Sequence, residues 1–137
     1  MRGLFVDTAG WIACTDAADL AHERALALRD SWLQEGGMLV ITDYIVDETL
    51  TLLRLRGGLR IAETWWRDVE SSPRLRWEYI SPERAEKARA MFFRYTDKEF
   101  SFTDCTSFVV MRELKLRDAL TTDRHFAQAG FLTLPRG

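Results

Sequence analysis

The sequence predicts an α/β fold in which a mostly parallel sheet is covered by helices on both faces. Short apolar runs of strand length alternate along the chain with longer segments of helical periodicity. This alternation favours parallel strands joined by helical crossovers. The length of 137 residues is that of a single domain, which we place at residues 1–137.

The composition is that of a globular protein in a reducing compartment. Hydrophobic residues make up 47% of the chain and charged residues 29%. The longest apolar runs, such as Phe108–Met111, are too short to cross a bilayer, and Asp7 interrupts any secretory-type start. Cys14 and Cys105 have no metal-binding spacing. We therefore expect a cytoplasmic protein with two free thiols and no membrane partner.

The net charge of −2 is distributed unevenly. Residues 1–53 carry 9 acids and 3 bases, whereas residues 54–98 carry 7 acids and 11 bases. Arginine accounts for 16 of the 19 basic residues and is suited to bidentate phosphate contacts. The basic middle segment indicates either solvated helix faces, which charge alone slightly favours, or the binding of an anionic substrate.

The first strand, Leu4–Val6, is a short apolar run that ends at Asp7, and the chain then turns into a helix from Thr8. An acid at this place either points into a crevice or caps the helix, and considered alone capping is favoured. An amphipathic helix, Asp19–Glu35, follows, and Gly36-Gly37 ends it.

The second strand, Met38–Ile41, leads into a helix that Thr42 caps and that runs to about Arg56. The apolar stripe of this helix contains Glu48 together with Tyr44, Ile45, Leu52 and Leu55. Burying an ionised carboxylate without a partner costs several kcal/mol or more. Glu48 is therefore expected to meet a metal, a cation or a shared proton, unless it lies at the edge of the stripe and reaches water.

Gly57-Gly58 separates that helix from the next one, Leu59–Glu70. The alternation of Leu75–Ile80 predicts a half-exposed strand. Ser81-Pro82-Glu83 combines a capping serine, a proline at the first helical position and an acid in the first turn. These signals predict a helix that reaches about Tyr95.

The segment Ser101–Phe126 directs two acids toward one place. Thr103 and Asp104 occupy a predicted helix start, and Asp123 follows the predicted strand Ala119–Thr122. Ligands of open parallel sheets bind beyond the carboxyl ends of the strands. A short helix, Arg124–Ala129, and a last strand, Phe131–Leu134, complete the predicted elements.

Four acids are candidates for one site: Asp7, Glu48, Asp104 and Asp123. Carboxylates gathered together repel one another, and oxygen ligands suit hard cations such as Mg²⁺ or Mn²⁺. Such ions orient a phosphodiester and generate hydroxide from water. No serine or cysteine triad, glycine-rich phosphate loop or zinc motif competes. The role of His125 stays open between a general base and a packing or capping residue.

Four ordered motifs carry a resemblance to a known family: FVDTAGWIA, ITDYIVDETLTLL, SFTDCTSFVVMRE and ALTTDRHFAQAGF. The chain resembles the PIN-domain ribonucleases, and specifically the VapC-type toxins of toxin–antitoxin pairs. The resemblance implies a parallel sheet of about five strands, with Asp7, Glu48, Asp104 and Asp123 as the metal-binding acids. It also gives five candidate supporting positions, namely Thr8, Thr42, Thr103, Ser107 and Thr121.

The resemblance implies an Mg²⁺- or Mn²⁺-dependent endoribonuclease that leaves a 5′-phosphate and a 3′-hydroxyl. Asp7, Asp104 and Asp123 would hold the metal, and Glu48 would bind metal or help to deprotonate the attacking water. The arginines of residues 54–98 would hold the RNA backbone. A homodimer and a small antitoxin that occludes the acidic site are also implied. We place the antitoxin groove on the helices that contain Tyr44–Leu55 and Leu59–Trp66.

Two other classes of function remain open. One is a DNA nuclease of the flap-cutting type on the same scaffold, although its usual helical insertions find no room in this length. The other is a non-catalytic module that binds RNA or protein and whose acids are structural. Metal-dependent cleavage and the choice between RNA and flap DNA separate the three.

Overall fold

The structure is a computed structural model that describes residues 2–136. Five strands form one sheet in the order β3-β2-β1-β4-β5, and every neighbouring pair is parallel. The strands are β1 (Gly3–Val6), β2 (Met38–Thr42), β3 (Leu75–Glu78), β4 (Asp118–Leu120) and β5 (Leu132–Leu134). The predicted parallel sheet is confirmed. The predicted domain, residues 1–137, includes a first and a last residue that lie outside the described range.

Helices connect all of these strands. They are α1 (Thr8–Thr15), α2 (His22–Gln34), α3 (Asp43–Gly57), α4 (Leu59–Ser71), α5 (Pro82–Arg94), α6 (Phe102–Glu113) and α7 (His125–Gln128). Right-handed crossovers place α1 to α4 on one face and α5 to α7 on the other. The helix contacts agree, because α1 packs against α2 and α3, and α6 packs against α5 and α7. Helices therefore flank both faces, as predicted.

The sheet has a topological switch point between β1 and β4. From β1 the chain moves outward through β2 to β3, and it then returns to the other side of β1 to form β4 and β5. Val6 at the end of β1 is paired with Leu120 at the end of β4. Parallel α/β sheets bind ligands in the crevice beyond the strands at such a point. The residues that follow Val6 and Leu120 therefore occupy the position at which this kind of sheet binds its ligands.

The core explains why β1 is apolar throughout. Leu4, Phe5 and Val6 are all fully buried in the centre of the sheet, with helices above and below. On one face the Phe5 ring contacts Phe126 of α7, with 6.1 Å between ring centroids. Because both faces of this strand are covered by helices, none of its side chains is polar.

The ends of several elements differ from the predicted ones by one to three residues. Helix α6 begins at Phe102, and its N-cap is Ser101 rather than Thr103 or Asp104. The reason is a capping box, in which Ser101 and Asp104 each accept the backbone N–H of the other. Strand β3 ends at Glu78, because β3 is an edge strand with a partner on one side only.

The apolar stripe predicted for α3 is wrong in its second half. The buried residues of this helix are Ile45, Thr49 and Leu53, whereas Leu52 is 36% exposed and Leu55 is 76% exposed. The buried line of α3 runs through Ile45, Thr49 and Leu53, so Leu52 and Leu55 lie beside that line and do not mark the core. The argument that placed Glu48 on a fully buried stripe therefore fails, since Glu48 is only half-buried.

Two further features bear on the predicted compartment. Cys14 and Cys105 are both free and buried. Burial raises the pKa of each thiol to about 11, so neither is a reactive thiolate at neutral pH. Within residues 2–136, no helix has the length and apolar character that a membrane span requires.

Candidate metal-binding site

Asp7 lies directly beyond β1 and is only 4% exposed. Its Oδ1 accepts the backbone N–H of Gly10 at 2.8 Å, which caps α1. Its Oδ2 accepts the hydroxyl of Thr121 at 2.7 Å. Burial raises the pKa of Asp7 to about 7 despite these two hydrogen bonds, and the nearby Asp123 and Asp104 carboxylates raise it further. The side chain therefore caps the helix and also faces other acids.

Gly10 allows α1 to lie close to the end of β4. A Cβ at this position would lie 2.1 Å from the backbone oxygen of Leu120. Because that oxygen belongs to the sheet and cannot swing away, any larger residue would push α1 and β4 apart. The glycine in the motif FVDTAGWIA thus sets how closely Asp7 approaches the residues that follow β4.

The residues after β4 bring Asp123 to the same crevice. The Thr121 hydroxyl oxygen accepts the backbone N–H of Asp123 at 2.9 Å. Asp123 Oδ1 in turn accepts the backbone N–H of His125 at 2.9 Å. This local turn, closed by an aspartate side chain, fixes both Asp123 and His125.

Asp104 reaches the crevice from the first turn of α6. His125 Nδ1 lies 2.8 Å from Asp104 Oδ2 and 3.3 Å from Asp123 Oδ1. Since an ionised carboxylate only accepts hydrogen bonds, the ring nitrogen between them donates. Burial raises the pKa of Asp104, while hydrogen bonds from Ser101 and His125 oppose that rise. His125 thus compensates part of the negative charge that the acids accumulate.

The donor set fits a hard divalent cation. One oxygen each of Asp104 and Asp123 and one ring nitrogen of His125 lie within 4.8 Å of one another, and because His125 Nδ1 donates to the acids, the carboxylate oxygens are the candidate ligand atoms. Hydrogen bonds among residues 2–136 engage only one oxygen of Asp104 and one of Asp123, so the other oxygens remain available. The buried Ser107 hydroxyl, one helical turn after Asp104, has no hydrogen-bond partner in the described chain. Free carboxylate oxygens are the ligands that Mg²⁺ and Mn²⁺ prefer.

Asp7 is linked to Asp104 and Asp123 by charge and through Thr121, although it is not in the group of ligand atoms within 4.8 Å, whereas Glu48 is not linked to the other acids by any contact in the described chain. It has no hydrogen bond or ion pair among the residues described. Its neighbour Thr49 donates a 3.3 Å hydrogen bond to the hydroxyl of Thr8, which follows Asp7 in the chain. The face of α3 beside Glu48 therefore packs near the crevice. The role of Glu48 as a metal ligand or proton acceptor stays a prediction.

The five candidate supporting residues make different contacts. Thr121 alone hydrogen-bonds to a carboxylate of the cluster. Thr42 caps α3 by accepting the N–H of Ile45 at 3.1 Å, and the carbonyl of Thr103 accepts the hydroxyl of Thr106 at 2.6 Å. Sequence reasoning left His125 unassigned although the structure places it between two acids. The only feature of the sequence that pointed to a site role for His125 was its position two residues after Asp123.

Comparisons with known proteins agree with this architecture. The PIN domain family model matches residues 4–132. The 23S rRNA-specific endonuclease VapC20 of Mycobacterium tuberculosis is 33% identical over 129 residues, which is 94% of this chain and 95% of that protein. The VapC ribonuclease of Archaeoglobus fulgidus is 32% identical over 114 residues, covering 82% of this chain and 72% of that protein.

Solved structures show the same fold. The crystal structure of M. tuberculosis VapC20, described as a sarcin-ricin loop cleaving toxin, has a TM-score of 0.85 at 33% identity and covers 94% of this chain and 96% of its own. VapBC2 from Rickettsia felis, bound to a DNA fragment from their promoter, has a TM-score of 0.73 with 96% of each chain covered. Its identity is 7%, so it bears on the fold alone. The chain therefore belongs to the PIN-domain family and, within it, is a VapC-type protein.

Proposed function

We propose that this protein is an Mg²⁺- or Mn²⁺-dependent endoribonuclease that leaves 5′-phosphate and 3′-hydroxyl ends, and that it is the toxin of a toxin–antitoxin pair. The observation that carries the proposal is the convergence of Asp7, Asp104 and Asp123 at the switch point of the sheet. The relatives named as ribonucleases, with identities above 30%, support RNA as the substrate.

Asp7, Asp104 and Asp123 would hold the metal, which when bound neutralises a phosphate and lowers the pKa of water. The chain's own contacts orient these ligands. Thr121 fixes Oδ2 of Asp7, while Ser101 and His125 fix Oδ2 of Asp104. Each of these contacts leaves other carboxylate lone pairs available for a cation.

Glu48 is proposed to bind metal or to help remove the proton of the attacking water. Its half-buried position on α3 leaves the carboxylate without a competing partner in the described chain. An unpaired carboxylate on a helix that packs near the acids would be suited to accept a proton from water there.

The exposed leucines at the junction of α3 and α4 support an antitoxin groove there. Leu52, Leu55 and Leu59 are 36%, 76% and 63% exposed, which is unusual for neighbouring large apolar side chains. They lie on the two helices that the sequence assigned to the groove. An amphipathic segment of a small antitoxin is the proposed occupant, and a homodimer of this chain is the proposed assembly.

The decisive experiment compares the wild-type protein with Asp104→Asn. Ribosomal RNA is the first substrate to test, because the name of the M. tuberculosis relative specifies 23S rRNA. We expect new RNA 5′ ends with Mg²⁺ or Mn²⁺, none with EDTA, and none with Asp104→Asn. Equal cleavage by both proteins would contradict the catalytic assignment. Cleavage of flap DNA but not of RNA would establish the DNA nuclease instead.

A further inference from the structure

The basic middle segment is less available to RNA than its charge indicates. Six of the eleven basic residues in 54–98 form ion pairs. Arg84, for example, lies 2.9 Å from Glu78 and 2.9 Å from Glu113, and its side chain is only 16% exposed. A guanidinium that is held by two carboxylates on its own chain has little capacity left for a phosphate. Unpaired cationic side chains nearer the acidic cluster are therefore better candidates for binding RNA.

A cavity of about 320 Å³ opens beside Asp123, at the carboxyl ends of β4 and β5. It adjoins the acidic cluster, because Thr121 and Asp123 line the cavity and Thr121 also hydrogen-bonds to Asp7. Arg24 of α2 and Arg124 line it together with Thr122 and Thr133. The volume lies at the lower end of the range for ligand pockets, which suits one unit of a nucleotide chain.

Arg24 and Arg124 have no carboxylate partner among residues 2–136, and both are exposed. Two unpaired guanidinium groups in one cavity repel each other and attract an anion. Arginine binds phosphate through two parallel hydrogen bonds, and threonine hydroxyls supply further donors. Asp123 also lines the cavity and offsets part of this positive charge, but one carboxylate against two guanidinium groups leaves the lining with a net positive charge.

We propose that this cavity binds a phosphodiester of the RNA next to the one at the acidic cluster, with Arg24 and Arg124 as positioning residues. The inference rests on the proposed ribonuclease function and adds a subsite to it. A phosphate held there fixes the register of the strand, so the scissile phosphate lies over Asp7, Asp104 and Asp123.

The test compares Arg24→Ala and Arg124→Ala with Arg117→Ala, an exposed arginine directly before β4 that also lacks a carboxylate partner in the described chain, lies outside residues 54–98 and does not line the cavity. KM and kcat are measured on a short RNA, and binding of the same labelled RNA is followed by fluorescence anisotropy at several salt concentrations. Arg24→Lys and Arg124→Lys retain the charge but lose the bidentate geometry.

We expect each cavity variant to raise KM and the RNA dissociation constant about tenfold, with kcat nearly unchanged. The slope of log affinity against log salt should fall by about 0.7 for each lost phosphate contact, and the lysine variants should recover part of the affinity. Arg117→Ala should change KM less than twofold. A mononucleotide that competes as well as the RNA would show that the cavity takes free phosphate esters rather than a strand.

Unchanged RNA affinity and salt slope in both cavity variants would overturn the inference, as would an equal effect of Arg117→Ala. These binding measurements do not require cleavage. Wild-type protein that binds RNA through the two arginines but never cuts it would contradict the proposed function and leave the subsite standing.

Discussion

The Thr121 hydroxyl donates a 2.7 Å hydrogen bond to Oδ2 of Asp7 across a separation of 114 residues. This contact joins the ends of β1 and β4 at the switch point, and it also holds a carboxylate that burial makes costly to ionise. One side-chain pair therefore links the closure of the sheet to the geometry of the acids.

Thr121→Val should weaken both the fold and the activity, since it removes the donor to Asp7 and the acceptor for the N–H of Asp123. A hydrogen bond to a charged group contributes about 1.5–3 kcal/mol, so we expect the free energy of unfolding to fall by about 2 kcal/mol and RNA cleavage to fall at least tenfold. Thr121→Ser retains the hydroxyl and should stay close to wild type. Urea unfolding and a cleavage assay measure the two effects. Equal behaviour of the valine and serine variants would show that the hydroxyl contributes nothing.

Asp7 should make the metal-free protein less stable as the pH rises. Its pKa of about 7 in the folded protein lies above the ordinary value of 3.8, so folding favours the protonated form. That contribution is complete below about pH 4, declines between pH 4 and 7, and is lost above pH 7. Asp7→Asn removes the decline and should exceed wild type at pH 8 by on the order of 3 kcal/mol.

Urea unfolding in EDTA at several pH values between 4 and 8 tests this expectation. Mn²⁺ should stabilise the wild-type protein most at pH 8, because a bound cation favours the ionised carboxylate. It should stabilise Asp7→Asn much less. A stability difference between the two proteins that does not change with pH would show that Asp7 ionises normally in the folded state.

Local signals in the sequence were enough to predict the sheet and the places of three acids at the ends of its elements, while the role of these acids as metal ligands stays a prediction. Asp7, Asp104 and Asp123 each stand at a strand end or a helix start, where short-range rules apply. The position of His125 between two acids was not predictable in this way, because one of its partners is 21 residues distant and the contact depends on how α6 crosses the sheet. Glu48 was assigned to a buried stripe because Leu52 and Leu55 are apolar yet exposed, and periodicity alone does not distinguish such side chains from core residues.

His125→Ala should weaken metal binding more than it weakens the fold. The ring compensates Asp104 and Asp123, and loss of a group that orients metal ligands typically lowers metal affinity 10- to 100-fold. His22→Ala is the matched control, because His22 Nδ1 contacts only the backbone carbonyl of Ala13, at 2.7 Å. Calorimetric titration with Mn²⁺ measures the affinities. Similar Mn²⁺ affinities for the two variants would remove His125 from the site.

Glu48→Gln tests the one predicted acid that makes no contact with the cluster. The amide keeps the shape of the side chain but accepts protons poorly, so a residue that helps to deprotonate water should lose cleavage rate by about 10²- to 10⁴-fold. Because the aspartates supply the metal ligands in the proposed site, we expect Mn²⁺ affinity to change less than threefold. A large loss of affinity would instead make Glu48 a metal ligand.

Asp47→Asn provides the control for that experiment, since Asp47 is the preceding residue of α3 and is exposed to solvent. The two changes remove the same charge from the same helical turn, so any general electrostatic effect on RNA binding appears in both. A loss of cleavage rate that is confined to Glu48→Gln must therefore reflect a specific action of the Glu48 carboxylate at the site. If both variants cleave RNA at the wild-type rate, the half-buried carboxylate only faces solvent beside the site, and three aspartates with His125 account for the chemistry.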